Sequence, residues 1–133
     1  MEGDITMRKI PKITNAEWEV MKIVWTNSEI SAINIINELK DKSKWKPATV
    51  KTLINRLLTK SAIGFNKLGY EYLYFPLVSE DECIKSESQS FVNKVFNGSV
   101  KSMLLTFAQS EEISESDKAE LKSILNESSK SKV

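Results

Sequence analysis

Residues 46–76 read KPATVKTLINRLLTKSAIGFNKLGYEYLYFP, and the spacing of the apolar residues changes once within this stretch. The first half repeats apolar residues every three or four positions, which is typical of a helix, at Val50, Leu53, Ile54, Leu57 and Leu58. After Gly64 the period falls to two, which is typical of a strand. Pro47 suits a first helical turn and Pro76 ends the strand. The stretch therefore predicts a helix followed by a hairpin with its turn around residues 67–69.

The residues before this stretch predict two further helices. Thr14 and Glu17 have the spacing of a capping box, so a helix is expected to begin at Thr14 and to end near Asn27. A short extended piece follows, and Ser31 can cap a second helix. The order helix, short strand, helix, turn, helix and hairpin predicts a winged helix-turn-helix domain over residues 13–78. The predicted fold class is mainly α with a small β-hairpin wing.

The chain after residue 78 is different in kind, because it predicts three short helices that carry more apolar surface than they can bury alone. A self-complementary interface is the natural use of such a surface. We therefore expect a helical dimerisation domain over residues 79–126, between an N-terminal tail (1–12) and a flexible C-terminal tail (127–133). The expected interface residues are Phe91, Val95, Phe96, Met103, Leu104, Phe107, Leu121 and Leu125.

Charge is distributed unevenly along the chain. Residues 40–67 contain eight basic residues and one acidic residue, whereas the chain as a whole has a net charge of +1. This segment comprises the turn, the third predicted helix and the wing, so its field would attract a polyanion such as DNA. The third helix carries no carboxylate on the face opposite its apolar stripe. The candidate DNA contacts are Lys46, Ala48, Thr49, Lys51, Thr52, Asn55, Arg56 and Lys67.

The composition argues against an enzyme. Histidine is absent and Cys83 is the only cysteine, so histidine catalysis, a cysteine–histidine pair, an internal disulfide, a histidine-ligated metal site and a four-cysteine zinc site are all excluded. We expect no cofactor and no metal. No apolar run is long enough to span a membrane and residues 1–12 lack a secretion signal, which favours a cytoplasmic protein, whether Met1 or Met7 is the natural start.

Two blocks together carry a resemblance to a known family: residues 13–25, ITNAEWEVMKIVW, and residues 45–57, WKPATVKTLINRL. The chain resembles the penicillinase repressors (BlaI/MecI), which regulate β-lactamase and methicillin-resistance operons. The resemblance implies a cytoplasmic homodimer whose third helix reads operators with TACA/TGTA half-sites. It places that role on Ala48, Thr49, Lys51 and Thr52, although family members often have Lys where Ala48 stands and Arg where Lys51 stands.

The resemblance also implies a mode of induction. In this family a membrane-bound sensor protease, once acylated by a β-lactam, leads to cutting of the repressor at an Asn–Phe bond in the dimerisation domain. The matching bond here is Thr106–Phe107, at which the phenylalanine agrees and the threonine departs. Two other readings stay open: a related repressor that answers a metal or stress signal, and a winged-helix module that binds proteins instead of DNA.

Overall fold

The computed structural model describes residues 9–43 and 45–131. Within them the chain forms six helices and one three-stranded antiparallel sheet. The elements are α1 (Asn15–Asn27), β1 (Ile30–Ser31), α2 (Ala32–Lys40), α3 (Pro47–Thr59), β2 (Ile63–Leu68), β3 (Glu71–Pro76), α4 (Glu80–Phe96), α5 (Val100–Ala108) and α6 (Glu115–Ser131). The predicted fold class, mainly helical with a β-hairpin wing, is confirmed. Met1, Met7 and most of the predicted N-terminal tail lie outside the described residues.

The chain divides into two compact units, residues 1–87 (the winged-helix unit) and residues 88–133 (the C-terminal unit). The sequence placed this division after residue 78, but the core of the winged-helix unit extends further. Val78 and Cys83 are both buried, and Cys83, on the first turns of α4, belongs to the same apolar cluster as α1 and α3. Trp25 Nε1 also donates a hydrogen bond to the Val78 carbonyl oxygen, at 2.9 Å.

Helix α1 begins at the predicted capping box. The Thr14 hydroxyl accepts a hydrogen bond from the Glu17 N–H at 3.2 Å, and the Glu17 carboxylate accepts one from the Thr14 N–H at 2.9 Å. Helix α2 begins at Ser31, whose hydroxyl accepts from the Asn34 N–H. Helix α3 has Pro47 in its first turn. All three helices therefore begin where local side-chain chemistry satisfies or removes the first backbone donors.

The core of the winged-helix unit lies between these three helices and the sheet. Most of the predicted apolar stripe of α3 is buried, and Trp45 packs against the same core from the turn before α3. Helix α1 buries Val20, Met21, Ile23 and Val24. This closed core fixes the orientation of α3, whose opposite face is exposed.

The sheet has the order β1–β3–β2. The register pairs Phe65 with Tyr74 and Leu68 with Glu71, so the turn of the hairpin consists of Gly69 and Tyr70. The predicted turn around Lys67–Gly69 is therefore wrong by one to two residues. Gly69 has a φ of +64°, which the first position of a type II′ turn requires and which glycine adopts without strain. Tyrosines occur at positions 70, 72 and 74. This period of two predicted Tyr70 as a strand residue, although it lies in the turn.

The C-terminal unit contains the end of α4, and α5 and α6. Ser99 caps α5 and Ser114 caps α6, each by accepting a hydrogen bond from the N–H three residues on. Helix α6 continues to Ser131 instead of ending near Asn126, so residues 127–131 are not the irregular tail that was predicted; residues 132–133 lie outside the described part. None of the residues of α5 is buried. None of the helices in the described ranges is both long enough and apolar enough to cross a membrane.

Candidate nucleic-acid interface

The exposed face of α3 gathers most of the predicted DNA contacts on one rigid element. Burial of Val50, Leu53, Ile54 and Leu57 turns the opposite side of the helix to solvent. The predicted contacts on this side, all exposed, are Lys46, Ala48, Thr49, Lys51, Thr52, Asn55 and Arg56. The sequence has no acidic residue between Asp41 and Glu71. The face therefore presents methyl, hydroxyl, amide and cationic groups without a carboxylate that would repel phosphate.

The wing lies beside this helix. Lys51 lines one shallow groove of about 220 Å³ together with Tyr70 and Tyr72 of the hairpin and Ile33 of α2. Lys67 is exposed on the neighbouring strand, with its Nζ 5.9 Å from the centre of the Tyr72 ring. Phe65 packs against the same ring, with 4.7 Å between centroids. The structure thus brings Lys51 close to the wing and places Lys67 on a small aromatic platform.

Burial, and secondarily the neighbouring Tyr72, raises the pKa of the Tyr74 phenol above its usual value. Tyr74 therefore stays neutral where it lines a groove with Lys51 and Asn55.

Glu71 lies at the hairpin end of the neighbouring groove that Lys51 lines. The acidic side chain makes the wing tip less attractive to phosphate than the helix.

One cation of the basic segment is engaged inside the protein. Lys60, the residue that follows α3, donates hydrogen bonds from Nζ to the Glu17 carboxylate and, at 2.8 Å, to the Lys12 carbonyl oxygen. Glu17 is only 1% exposed. Burial alone would raise the pKa of Glu17, but the hydrogen bonds from Lys60 and Thr14 and the lysine charge hold it below the usual value. Lys60 therefore anchors the end of α3 to the start of α1, and the sequence alone gave no sign of this long-range pairing.

The predicted interface residues of the C-terminal unit divide into two groups. Leu104, Phe107, Leu121 and Leu125 line one apolar groove of about 630 Å³ between α5 and α6. Ile113 and Ile124 also line it and were missed, although Ile124 belongs to the same helical stripe as Leu121. Phe91, Val95, Phe96 and Met103 lie outside this groove; Phe91 and Phe96 contact each other with 5.8 Å between centroids.

The Thr106–Phe107 bond lies in the last turn of α5, and both residues are exposed. The Thr106 hydroxyl donates a hydrogen bond to the Ser102 carbonyl oxygen at 2.9 Å. The Thr106–Phe107 peptide bond itself has helical conformation. Phe107 also lines the apolar groove. One residue thus belongs to both the predicted cleavage site and the predicted interface.

Residues 13–127 match the profile of the penicillinase repressor family, which covers both units. The chain belongs to the penicillinase repressor family. The resemblance inferred from the two sequence blocks is confirmed. The members of this family are transcriptional repressors and not enzymes.

Curated relatives of the penicillinase repressor family match over nearly their whole length. The penicillinase repressor of Bacillus licheniformis is 40% identical over 121 residues, which are 91% of this chain and 94% of that protein. The methicillin resistance regulatory protein MecI of Staphylococcus aureus (strain N315) is 40% identical over 118 residues, 89% of this chain and 96% of that protein. The similarity therefore includes the C-terminal unit as well as the winged-helix unit.

Two solved structures from the penicillinase repressor family match part of the chain. The solution structure of the DNA-binding domain of the repressor BlaI has a TM-score of 0.52 at 40% identity and covers 56% of this chain and 92% of that one. The solution structure of monomeric Bacillus licheniformis BlaI in complex with the blaP half-operator has a TM-score of 0.50 at 40% identity and covers 56% and 90%. The chain is thus similar in fold to the DNA-binding domain of BlaI over about half of its length.

Proposed function

We propose that this chain is a homodimeric, sequence-specific DNA-binding repressor of a β-lactamase or related antibiotic-resistance operon. It acts in the cytoplasm, where a dimer bound to a promoter would exclude RNA polymerase. A membrane-bound sensor of β-lactams would lead to cutting of the dimerisation region and so end repression.

The observation that carries the DNA-binding part is the composition of the exposed face of α3. Lys46, Lys51 and Arg56 supply cations, and Thr49 and Asn55 supply groups that can hydrogen-bond to base edges. An ordinary exposed helix mixes acidic and basic residues, whereas this one has no acid at all. The B. licheniformis relative has been solved as a monomer on a half-operator, which supports one winged-helix unit for each half-site.

The apolar groove of the C-terminal unit supports the dimer. Leu121, Ile124 and Leu125 of α6 remain exposed in the single chain, and water contact with such side chains is unfavourable. A second copy of the same helices offers a matching apolar surface under twofold symmetry. Dimerisation matters for function because one winged-helix unit makes only a few base contacts, each contributing about 1–3 kcal/mol.

Cutting at Thr106–Phe107 would act through the dimer alone. The cut would separate α6 and Phe107 from Leu104, so the two sides of the groove would no longer belong to one chain. Linked binding sites gain about 10²–10⁴-fold in overall affinity, and this gain would be lost without any change in α3. The operator would then be released although each winged-helix unit remained intact.

The first test is a selection of duplexes from a random-sequence pool with the purified full-length chain. We expect enrichment of a palindromic site that contains TACA/TGTA half-sites. Sharp sites of another sequence would support a repressor of a different regulon. A pool without enrichment would overturn DNA recognition and favour a protein-binding module.

The second test asks whether α3 reads the selected site. Lys51→Ala should lower the affinity about tenfold and relax base preference where Lys51 contacts a base. Lys22→Ala is the matched control, because Lys22 is an exposed lysine on α1 beside Glu19. Affinity should also fall steeply with salt as counterions are released from phosphates. An unchanged footprint for Lys51→Ala, or a flat salt response, would contradict the assignment of α3.

A further inference from the structure

The exposed threonines of α3 differ in what their hydroxyl groups can do. The Thr52 Oγ1 donates a hydrogen bond to the Ala48 carbonyl oxygen, at 3.0 Å, within the helix. Within the two described ranges, the Thr49 hydroxyl has no such bond to any side chain or backbone group. Since a hydroxyl has one hydrogen, Thr52 has no donor left for a partner outside the helix.

The groups that Thr52 can still present are a methyl group and an acceptor oxygen. Ala48, one helical turn earlier on the same face, presents only a methyl group. Both residues are exposed, and Arg56 continues the same row one turn later. The row therefore begins with two adjacent methyl groups and no donor. The cation of Lys51 lies beside this row, at the edge of the same face, in a groove with Ala32 and Tyr74.

An exposed pair of methyl groups on a helix face that reads DNA can pack against one apolar group in the major groove. Thymine alone among the bases carries a methyl group there, on C5, and alanine and threonine methyl groups are suited to contact it. We propose that Ala48 and Thr52 recognise the C5-methyl group of a thymine in each half-site, and that Thr52 does so without using its hydroxyl. This inference rests on the proposed DNA binding.

The test uses the duplex obtained in the selection, with each thymine replaced in turn by deoxyuridine, which removes only the C5-methyl group. We expect one thymine in each half-site at which the replacement weakens the full-length dimer about fourfold, and about fifteenfold when both half-sites are changed. All other thymines should tolerate the replacement.

Two variants then separate the methyl group from the hydroxyl. Thr52→Val keeps a methyl group and removes the hydroxyl, so it should bind within about twofold of the wild type and retain the sensitivity to deoxyuridine. Thr52→Ser removes the methyl group and can keep the bond to Ala48. Because Ala48 still contacts the thymine, the affinity of this variant for the thymine duplex should lie between those of the wild type for the thymine and the deoxyuridine duplexes. Replacement by deoxyuridine should weaken its binding less than it weakens the binding of the wild type.

Thr59→Ser is the matched control. Thr59 is exposed on the same helix and its hydroxyl donates the same kind of bond, to the Asn55 carbonyl oxygen at 3.0 Å, about two turns further on. Its replacement should leave both affinity and deoxyuridine sensitivity unchanged. Thermal unfolding of each variant checks that the fold is retained.

Two results would overturn the inference while leaving DNA binding intact. The first is a wild type that tolerates deoxyuridine at every position. The second is a Thr52→Val variant that loses affinity while Thr52→Ser keeps it, because the hydroxyl would then be the reading group. Failure of the selection itself would instead remove the proposed function, and the inference with it.

Discussion

The two units use their apolar residues in opposite ways. In the winged-helix unit, residues such as Val20, Met21 and Leu57 are completely buried, and the core is closed by helices and a sheet of the same unit. In the C-terminal unit α5 has no buried residue, and leucines on α5 and α6 face solvent around an open groove. The winged-helix unit thus buries a core of its own, although side chains such as Ile33 and Leu68 stay exposed. In the proposed dimer, the apolar surface of α5 and α6 would be covered by a second copy.

The most severe test of this contrast is to separate the units. A chain that ends at Glu87 should fold, remain monomeric and bind the selected palindromic site about 10²–10⁴-fold more weakly than the full chain. Sedimentation and titration of the labelled duplex measure both properties. If the shortened chain is a dimer, the interface lies in the winged-helix unit and the contrast is wrong.

A single charge in the groove should have the next largest effect. Leu104→Asp would bury an unpaired carboxylate at the proposed interface, so the dissociation constant of the dimer should rise about a hundredfold or more. Leu105→Asp is the matched control, since Leu105 is 53% exposed on the same helix and does not line the groove. If the dimer tolerates Leu104→Asp, the groove is not the dimer interface. The same holds if the two variants raise the dissociation constant of the dimer equally.

The closed core of the winged-helix unit predicts a stability effect confined to that unit. Glu17→Gln removes the charge that pairs with Lys60, and the free energy of unfolding should fall by about 2 kcal/mol. Glu19→Gln should cost less than about 0.5 kcal/mol, because its pair with Lys22 is solvent-exposed. Urea unfolding followed by tryptophan fluorescence reports on this unit, which contains all three tryptophans.

The same pair has a defined dependence on pH. The pKa of Glu17 is lower in the folded protein than the ordinary value of 4.5, so its contribution is fully present above pH 4.5 and is lost as the pH falls through the folded pKa. The stability difference between wild type and Glu17→Gln should therefore shrink only in acid below pH 4.5. A difference that instead changed near neutral pH would contradict the ion pair as its cause.

The smallest effect concerns the border between the units. Cys83→Ala should lower the stability of the winged-helix unit by about 1 kcal/mol, because the Cys83 side chain is buried in its core. Ile84→Ala should change it much less, since the neighbouring Ile84 is 46% exposed. Equal effects of the two substitutions would place the border before α4, where the sequence predicted it.

Features set by neighbouring residues could be predicted from the sequence. Local signals predicted the helix starts at Thr14, Ser31 and Pro47, because caps and proline act within one turn. The hairpin was predicted but its turn was misplaced, since alternation continues through Tyr70. The exposed face of α3 followed from its apolar stripe, as the opposite side of a helix must face away from the core.

Contacts between distant residues could not be predicted in this way. In the sequence Lys60 is one more cation of the basic segment. Its pairing with Glu17, which is 43 residues away along the chain, is seen only in the folded structure. The burial of Cys83 similarly depends on how α4 returns to the core. At the site, the engaged hydroxyl of Thr52 depends on a rotamer that composition does not specify.

Glu17 serves two partners at once, as the capping residue of α1 and as the counterion of Lys60. A glutamine at position 17 could still cap the helix, but it would leave Lys60 without its counterion. Loss of Lys60 would leave the buried carboxylate of Glu17 without its counterion. Neither position can drift alone at low cost during evolution. In other members of the family, the residues that correspond to Glu17 and Lys60 are therefore expected to form a matched pair, and to change together where either one changes.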